Sequence, residues 1–487
     1  MDGSESKSQT PDPGSKTEPG APSASVQTVG ESTLLTRATR PRRLHWAWLC
    51  YHPRRGHGGA CLPQAGRAPT ARLGEIRDGF ERPFWVANVS EIFERLSYYG
   101  AFSSLAVYLQ EKLNFSTEQT GTLTGIFGGM VWFLAIFGGA IADRLGFRRA
   151  LSLAYLILAA AYFLIGSVGA SWLAPIRNAV PLGLFVGFIL ILPALGVALV
   201  KPCVVGTTAR ASKENVRSIG YSIYYTMVNI GGAAGPYIAG WAHQKLGLEK
   251  VFRISALSVF AMFFLVLLFF REPKRAEDEP APSVSRTLRN FLVVVSNPKF
   301  MLFLLIFTGY WVVFWQQYIT LPGYVHRYID ANASVEWILI TDSVSVIALT
   351  LLVNYLTRSI PAFHAIIIGT LITSLSWLIL AFHPTVLACY LSIFVLAIGE
   401  IIHQPRYYEY ISRLAPPGQQ GTYMGFAFLP LGIGSLVGGW FGGRVMHHFG
   451  EVTGKPARAW WVITGVGVLT AVLLFIYDRV VRPSEAK

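Results

Sequence analysis

The chain has 487 residues, 52% hydrophobic, 13% aromatic and only 14% charged, against about 25% charged in a soluble globular protein. So little charge cannot hold a folded surface of this size in water, which excludes a soluble globular protein. Lys plus Arg is 41 and Asp plus Glu 27, a net +14 that in a polytopic membrane protein is the expected excess on cytoplasmic loops rather than a nucleic-acid footprint.

Residues 1–76 are rich in Ser, Pro, Gly and Arg and contain no stretch able to span a bilayer or build a core. The apolar patch Leu44 to Tyr51 is too short for a signal peptide and is followed by Arg54 and Arg55. A disordered basic tail is expected, with a start codon further downstream as the alternative. From residue 83 onward apolar stretches recur at the ~20-residue length that crosses a hydrocarbon core about 30 Å thick. They lack the alternation of a membrane β-barrel, so the spans are helical.

Twelve spans are expected, at about 83–110, 120–142, 149–169, 180–202, 217–241, 252–270, 299–324, 335–356, 362–382, 386–412, 420–446 and 459–478. An even number puts both termini on one side. Arg144, Arg148 and Arg149, then Arg210, Lys213 and Arg217, then Arg271, Lys274, Arg275, Arg286 and Arg289 all fall in loops on that side, which makes it cytoplasmic. The expected location is the plasma (cell inner) membrane, multi-pass. The charged segment 271–298 is a linker between six-helix bundles at 83–270 and 299–480, and 481–487 form a short tail. The expected fold is therefore an all-α membrane protein with the layout of the major facilitator carriers, whose two bundles rock about a central site.

The first span, VSEIFERLSYYG, places Glu91, Glu94, Arg95 and Tyr98 at offsets 0, 3, 4 and 7, on one helical face. An ionised group at the centre of a span costs on the order of 2.5–3.5 kcal/mol, so the three charges must face the bundle interior. A carboxylate whose Arg partner leaves during rocking would bind and release protons. A static ion pair is the bland alternative, and one more acid than a structural bridge requires favours the proton role. After the second span, GGAIADRLGFRR carries Gly139, Asp143, Arg144, Gly146, Arg148 and Arg149 at GxxxDRxGxRR spacing. It resembles the cytoplasmic loop motif of the major facilitators, in which the Gly permits close helix contact and Asp and Arg form state-dependent ion pairs.

Further along, LGVALVKPCVVG buries Lys201 in the fourth span, SIYYTMVNIGGAAGP supplies Asn229, VVFWQQY supplies Phe314, Trp315 and Gln316, and IGE supplies Glu400. A lone cation and a lone anion at membrane depth in different bundles could grip the two ends of a zwitterion. Glu400 bonded to nearby backbone or to His403 is the structural alternative. The tenth span continues IIHQPRYYEY, with Pro405 inside it and Arg406 and Glu409 either at an interfacial ion pair or at the cavity.

In chain order these segments resemble the proton-dependent oligopeptide transporters: ExxERFxYYG, GxGxxKP, FYxxINxGxxxGP, the seventh-span FW, the tenth-span Gly-Glu and the eleventh span, across about residues 83–480. The resemblance implies that Glu91, Glu94, Arg95 and Lys201 couple protons. It implies that Tyr98, Trp132, Asn229, Trp315, Gln316, Glu400 and Arg406 bind substrate, and that Gly139, Asp143, Arg144 and Arg148 form the conformational-switch loop. The implied function is proton symport of di- or tripeptides, or of a related small solute, by alternating access.

Departures matter too. The family's usual Arg is Phe102 here, its seventh-span acid is Ile319, and Trp132 stands where a site Tyr is common. Losing both members of a gate ion pair costs less than orphaning one, so an apolar gate is expected. His403, Arg406 and Glu409, with Gln316, Gln317 and Asp342, make the cavity more polar than the peptide pattern, and the Arg replaced by Phe102 keeps an amino acid, nitrate, a sugar or a drug open as substrate, with a non-transporting sensor as the alternative class.

The loop between the ninth and tenth spans is too short for an extra domain, and 271–298 too short and polar for extra helices. Cys50, Cys61, Cys203 and Cys389 show no CxxC spacing, and HExxH, GxSxG and P-loop motifs are absent, so neither an enzyme nor a metal or cofactor site is expected. The expected partners are protons, a small solute and the lipid bilayer, with the chain acting as a monomer.

Overall fold

In a computed structural model, residues 78–214, 216–273, 292–415 and 420–481 are described, together with most of their side chains. The tail 1–76, most of the linker and the Asp143 side chain lie outside the described residues.

The described chain is helical, with no strands beyond an isolated bridge between Phe80 and Ser212. Its long segments are α1 (Arg82–Glu111), α2 (Thr117–Leu145), α3 (Phe147–Ile165), α4 (Leu182–Arg210), α5 (Arg217–Leu246) and α6 (Leu248–Phe269). There follow α7 (Pro298–Phe314, continued by Gln316–Ile319 and Leu321–Tyr328), α8 (Val335–Thr357), α9 (Ala362–Ser376 and Leu378–Phe382) and α10 (Val386–Leu414). The last two are α11 (Gln420–Phe426 and Leu429–Met446) and α12 (Arg458–Val480). Among the described residues nine of these are long and apolar enough to cross a membrane, namely α3, α4 and α6 to α12. The other three, α1, α2 and α5, have 29 or 30 residues, about 45 Å at ~1.5 Å per residue, enough length to do so.

Several helices outrun the expected spans for one reason. Hydropathy reports where hydrocarbon is, whereas a helix continues as long as its residues tolerate it. Thus α4 runs on to Arg210 through Thr207 and Thr208. α2 starts at a capping box, Ser116 Oγ accepting from Gln119 N and the Gln119 side chain from Ser116 N, both at 3.2 Å. α3 starts after Gly146, whose φ of +79° only glycine adopts freely, and the Glu272 carboxylate accepts from its first amides, Phe147 N at 2.7 Å and Arg148 N at 2.8 Å.

Helices α1 to α6 pack chiefly on one another, as do α7 to α12; the principal contacts between the two sets are α2 on α11 and α5 on α8. At the α2–α11 seam Gly121, Gly125, Gly439 and Gly443 let the backbones meet. A Cβ on Gly125 would lie 2.7 Å from the Ser435 carbonyl oxygen and 2.9 Å from the Gly439 Cα.

Candidate transport site

The face of α1 read from the sequence carries a buried charge cluster. Arg95 Nε lies 3.5 Å from Glu91 and hydrogen-bonds Glu94, and Lys201 reaches across from α4 to within 3.6 Å of Glu91. The four charges sum to zero. Both glutamates are wholly buried, Arg95 almost so, and Lys201 keeps 21% of its side chain exposed beside the Trp132 ring, whose centroid is 5.7 Å from Nζ. Both Nη groups of Arg95, both Glu91 oxygens and one Glu94 oxygen lack hydrogen-bond partners. A permanent bridge would use the guanidinium fork in full. This arrangement is charge-balanced without being hydrogen-bond-satisfied.

Lys201 opens onto a cavity of about 710 Å³ between the two helix sets. Trp132, Asn229, Trp315 and Glu400 line it together with Lys201. Tyr98 does not: it is turned onto Phe127, 5.5 Å between centroids, under the Arg95 guanidinium, and its neighbour Tyr99 faces the cavity. Gln316 is likewise not at the cavity. It donates to Val312 O at 2.7 Å and Gly438 O at 3.1 Å and accepts from Thr320, tying α7 to α11. Arg406 is not at the cavity either, and pairs with Glu409 at 3.0 Å.

The structure also places residues that the motifs did not. Asp342 of α8 lines the cavity together with Glu400, and His403 turns away to the Gly399 carbonyl and the Tyr310 ring. Gly138 and Gly139 of the GGAIADRLGFRR segment lie inside the last turns of α2, and the closely approached one is Gly138, where a Cβ would collide with the Ala198 backbone, while Gly139 has room. Arg144 is exposed, and Arg148, in the first turn of α3, donates to the Leu267 carbonyl at 2.7 Å, fastening that turn to the end of α6.

One end of the cavity is shut. Phe102 stacks on Tyr318 at 4.6 Å and leans on Trp315 and Phe127, and Ile319 is buried nearby. Beyond this plug lies a polar layer that no motif in the chain announces. The buried Glu336 accepts from Ser104 Oγ at 2.8 Å and lies 2.8 Å from His243 Nδ1; His326 Nδ1 is 2.7 Å from Glu111, and Arg327 donates to Thr117 Oγ1 at 2.6 Å. Each contact joins the first helix set to the second. Charged hydrogen bonds are worth roughly 1.5–3 kcal/mol. Glu336→Gln, which keeps the shape and removes the charge, is expected to weaken closure by about 1–2 kcal/mol. Spin labels at the exposed positions Lys112 and Asn332 read this as a longer-distance population; an unchanged distribution would leave the polar layer with no part in closure.

A polytopic helical protein with a central cavity shut at one end, and ionisable side chains bordering it, is a membrane carrier. The family model of the Major Facilitator Superfamily matches residues 89–332 and 321–487. The chain belongs to that superfamily. Its curated relatives include the multidrug resistance protein MdtH of Klebsiella pneumoniae, 25% identical over 387 residues, covering 78% of this chain and 90% of the relative. MdtH of Salmonella newport is 24% identical over 384 residues, with the same two coverages of 78% and 90%. Among solved structures, a peptide transporter POT in complex with alafosfalin has TM-score 0.67 and 19% identity, covering 82% of this chain and 95% of that one. The nucleoside transporter NupG has TM-score 0.68 and 13% identity, covering 81% and 99%. At these identities the solved structures speak to the fold.

Proposed function

We propose that the protein is a proton-coupled secondary transporter of the oligopeptide-transporter type, importing small organic solutes with di- and tripeptides as the leading class. The observation that carries this reading is the neutral but under-bonded group Glu91, Glu94, Arg95 and Lys201 at the wall of a cavity of about 710 Å³. Helices α1 to α6 and α7 to α12 act as two bundles that rock about that cavity, as a monomer in the plasma membrane. The basic loops make the termini cytoplasmic, so the shut end faces outward and the described state is closed to the outside. Trp132, Asn229, Trp315 and Glu400 contact the solute. Gly139, Asp143 and Arg144 at the end of α2 and Arg148 at the start of α3 form the conformational-switch segment.

The aromatic lining of the cavity and the multidrug-resistance relatives favour a second substrate class, amphiphilic drugs. In liposomes acidic outside, the purified protein is expected to accumulate labelled dialanine above its external concentration, and to stop when the proton gradient is collapsed. Equal uptake with and without the gradient would overturn coupling. Gradient-dependent expulsion of an aromatic dye that dialanine does not inhibit would replace the peptide reading by the drug reading.

A further inference from the structure

His326 lies in the polar layer at the shut end, on the continuation of α7, and its side chain is only 8% exposed. Its Nδ1 is 2.7 Å from Glu111 Oε1 of α1, and its Nε2 is 3.0 Å from the Ala333 carbonyl oxygen in the turn before α8. A carboxylate and a carbonyl both accept, so each ring nitrogen faces an acceptor. A neutral imidazole has one N–H and satisfies only one of them. Turning the ring over would put carbon atoms in both places. The two contacts together therefore contain one proton more than a neutral histidine and an ionised glutamate supply, and the imidazole, the more basic partner, holds it.

Only one of these acceptors crosses between the helix sets. Ala333 belongs to the same set as His326, whereas Glu111 ends α1. When the sets part at this end, Nε2–H keeps Ala333 and Nδ1 is left to water, which a neutral ring accepts from equally well. The neighbouring charges leave that count unchanged. Arg327 turns to Thr117 and Glu451, Asp330 accepts from Asn332 N within its own turn, and His447 meets Glu451 of its own segment. Lys112 of α1 and Glu336 of α8 stand beside His243 of α5, whose ring is stacked on that of His326 at 6.3 Å. His243 needs a single N–H, from Nδ1 to Glu336 at 2.8 Å.

We propose that His326 is a proton-binding site of the outer gate, separate from the group of Glu91, Glu94, Arg95 and Lys201. Closing at this end takes up one proton from the water outside to form the second N–H bond of His326, which then donates to Glu111. Opening breaks that bond and returns the proton to the same water, and nothing is oxidised or reduced. Acid outside therefore favours the shut state and alkali the open one, by about tenfold per pH unit while one proton is exchanged. This proton comes and goes on one side, so it does not travel with solute, and it slows reopening when the outside is strongly acid. The inference rests on the two helix sets parting at this end, as the carrier reading requires.

Spin labels at the exposed positions Asn178, between α3 and α4, and Lys455, between α11 and α12, read opening of the purified full chain from about pH 5 to pH 8. The ratio of long-distance to short-distance populations is expected to rise with pH, and about tenfold more steeply per pH unit in the wild type than in Glu111→Gln. A glutamine there offers a carbonyl to an N–H or an amide to a bare nitrogen, so closing no longer calls for an extra proton. Glu111 is half exposed at a helix end, where the substitution leaves packing alone. His326→Gln should match Glu111→Gln, and His243→Gln should keep the wild-type slope. Glu91 and Glu94 titrate in all four proteins, so the difference between slopes isolates the gate.

Equal slopes in the wild type and Glu111→Gln, or a slope lost in His243→Gln and kept in His326→Gln, would overturn the proposal. Two populations whose ratio shifts identically with pH in every protein would remove this inference and leave the rocking motion intact. A single distance in every protein at every pH would overturn rocking, and this inference with it. The steeper wild-type slope without gradient-driven uptake of dialanine would keep the gate site and remove the coupling reading.

Discussion

Glu94→Gln is expected to abolish gradient-driven accumulation while sparing exchange of labelled for unlabelled solute. The substitution keeps the size of a wholly buried side chain that hydrogen-bonds Arg95 and removes its ability to carry a proton. Arg95 retains Glu91 at 3.5 Å, and Glu91 retains Lys201 at 3.6 Å, so the bundle can still rock with solute bound. One proton crossing a gradient of one pH unit is worth about 1.4 kcal/mol, or roughly tenfold accumulation. The variant should therefore fall from about tenfold accumulation per coupled proton to none, with the exchange rate kept within a few-fold.

A static bridge predicts something else. Removing one partner of a buried pair costs about 3–5 kcal/mol of stability, so the variant would melt early and lose exchange and accumulation together. Parallel measurement of thermal stability, exchange and accumulation separates the cases. Retained accumulation by a folded Glu94→Gln would sink the coupling role.

How much of this was legible in the sequence follows from which physical signals are local. Glu91, Glu94 and Arg95 could be placed on one face because helix geometry fixes neighbours at three and four residues, and their cost in hydrocarbon fixed that face inward. The same periodicity put Tyr98 on that face, and it is indeed with them. That face, however, turns onto Phe127, while Tyr99, about 100° further round, reaches the cavity.

Gln316 escaped placement for another reason. α7 is interrupted at Trp315 and Thr320, so helical phase cannot be carried from Pro298 through the FWQQ segment, and its side chain closes onto α11. Phe102 and Ile319, read as an apolar gate from two missing charges, lie in the plug. The polar layer beyond it was not legible. Glu336, His243, Glu111 and His326 stand at helix ends, where a charged residue is ordinary, and only the three-dimensional meeting of distant ends makes them partners. The meeting of Asp342 from α8 and Glu400 from α10 at one cavity was likewise not legible, because it joins two distant segments of the chain.

The α2–α11 seam gives the second large effect. A Cβ on Gly439 would collide with the Gly121 carbonyl oxygen and lie 2.7 Å from the Gly125 Cα and 3.0 Å from its nitrogen, all backbone atoms that no rotamer can move. Gly439→Val must therefore push the two helices apart. They belong to different helix sets, which the proposed rocking separates in a state open at this end, so the overpacking cost of about 1–3 kcal/mol would fall on the closed state alone. That shifts the population by roughly 5- to 150-fold toward opening at the end that Phe102 and Glu336 now shut.

Spin labels at Lys112 and Asn332 should report a long-distance population in Gly439→Val, and accumulation of solute should drop by a similar factor, because the carrier waits on the wrong side. Gly465→Val is the control: on α12 a Cβ meets nothing within 4 Å, and both readouts should match the wild type. A folded Gly439→Val with unchanged distances would mean that α2 and α11 adjust locally and do not part as members of two rigid bodies. Alternating access in this protein would then need a motion other than rocking about the cavity.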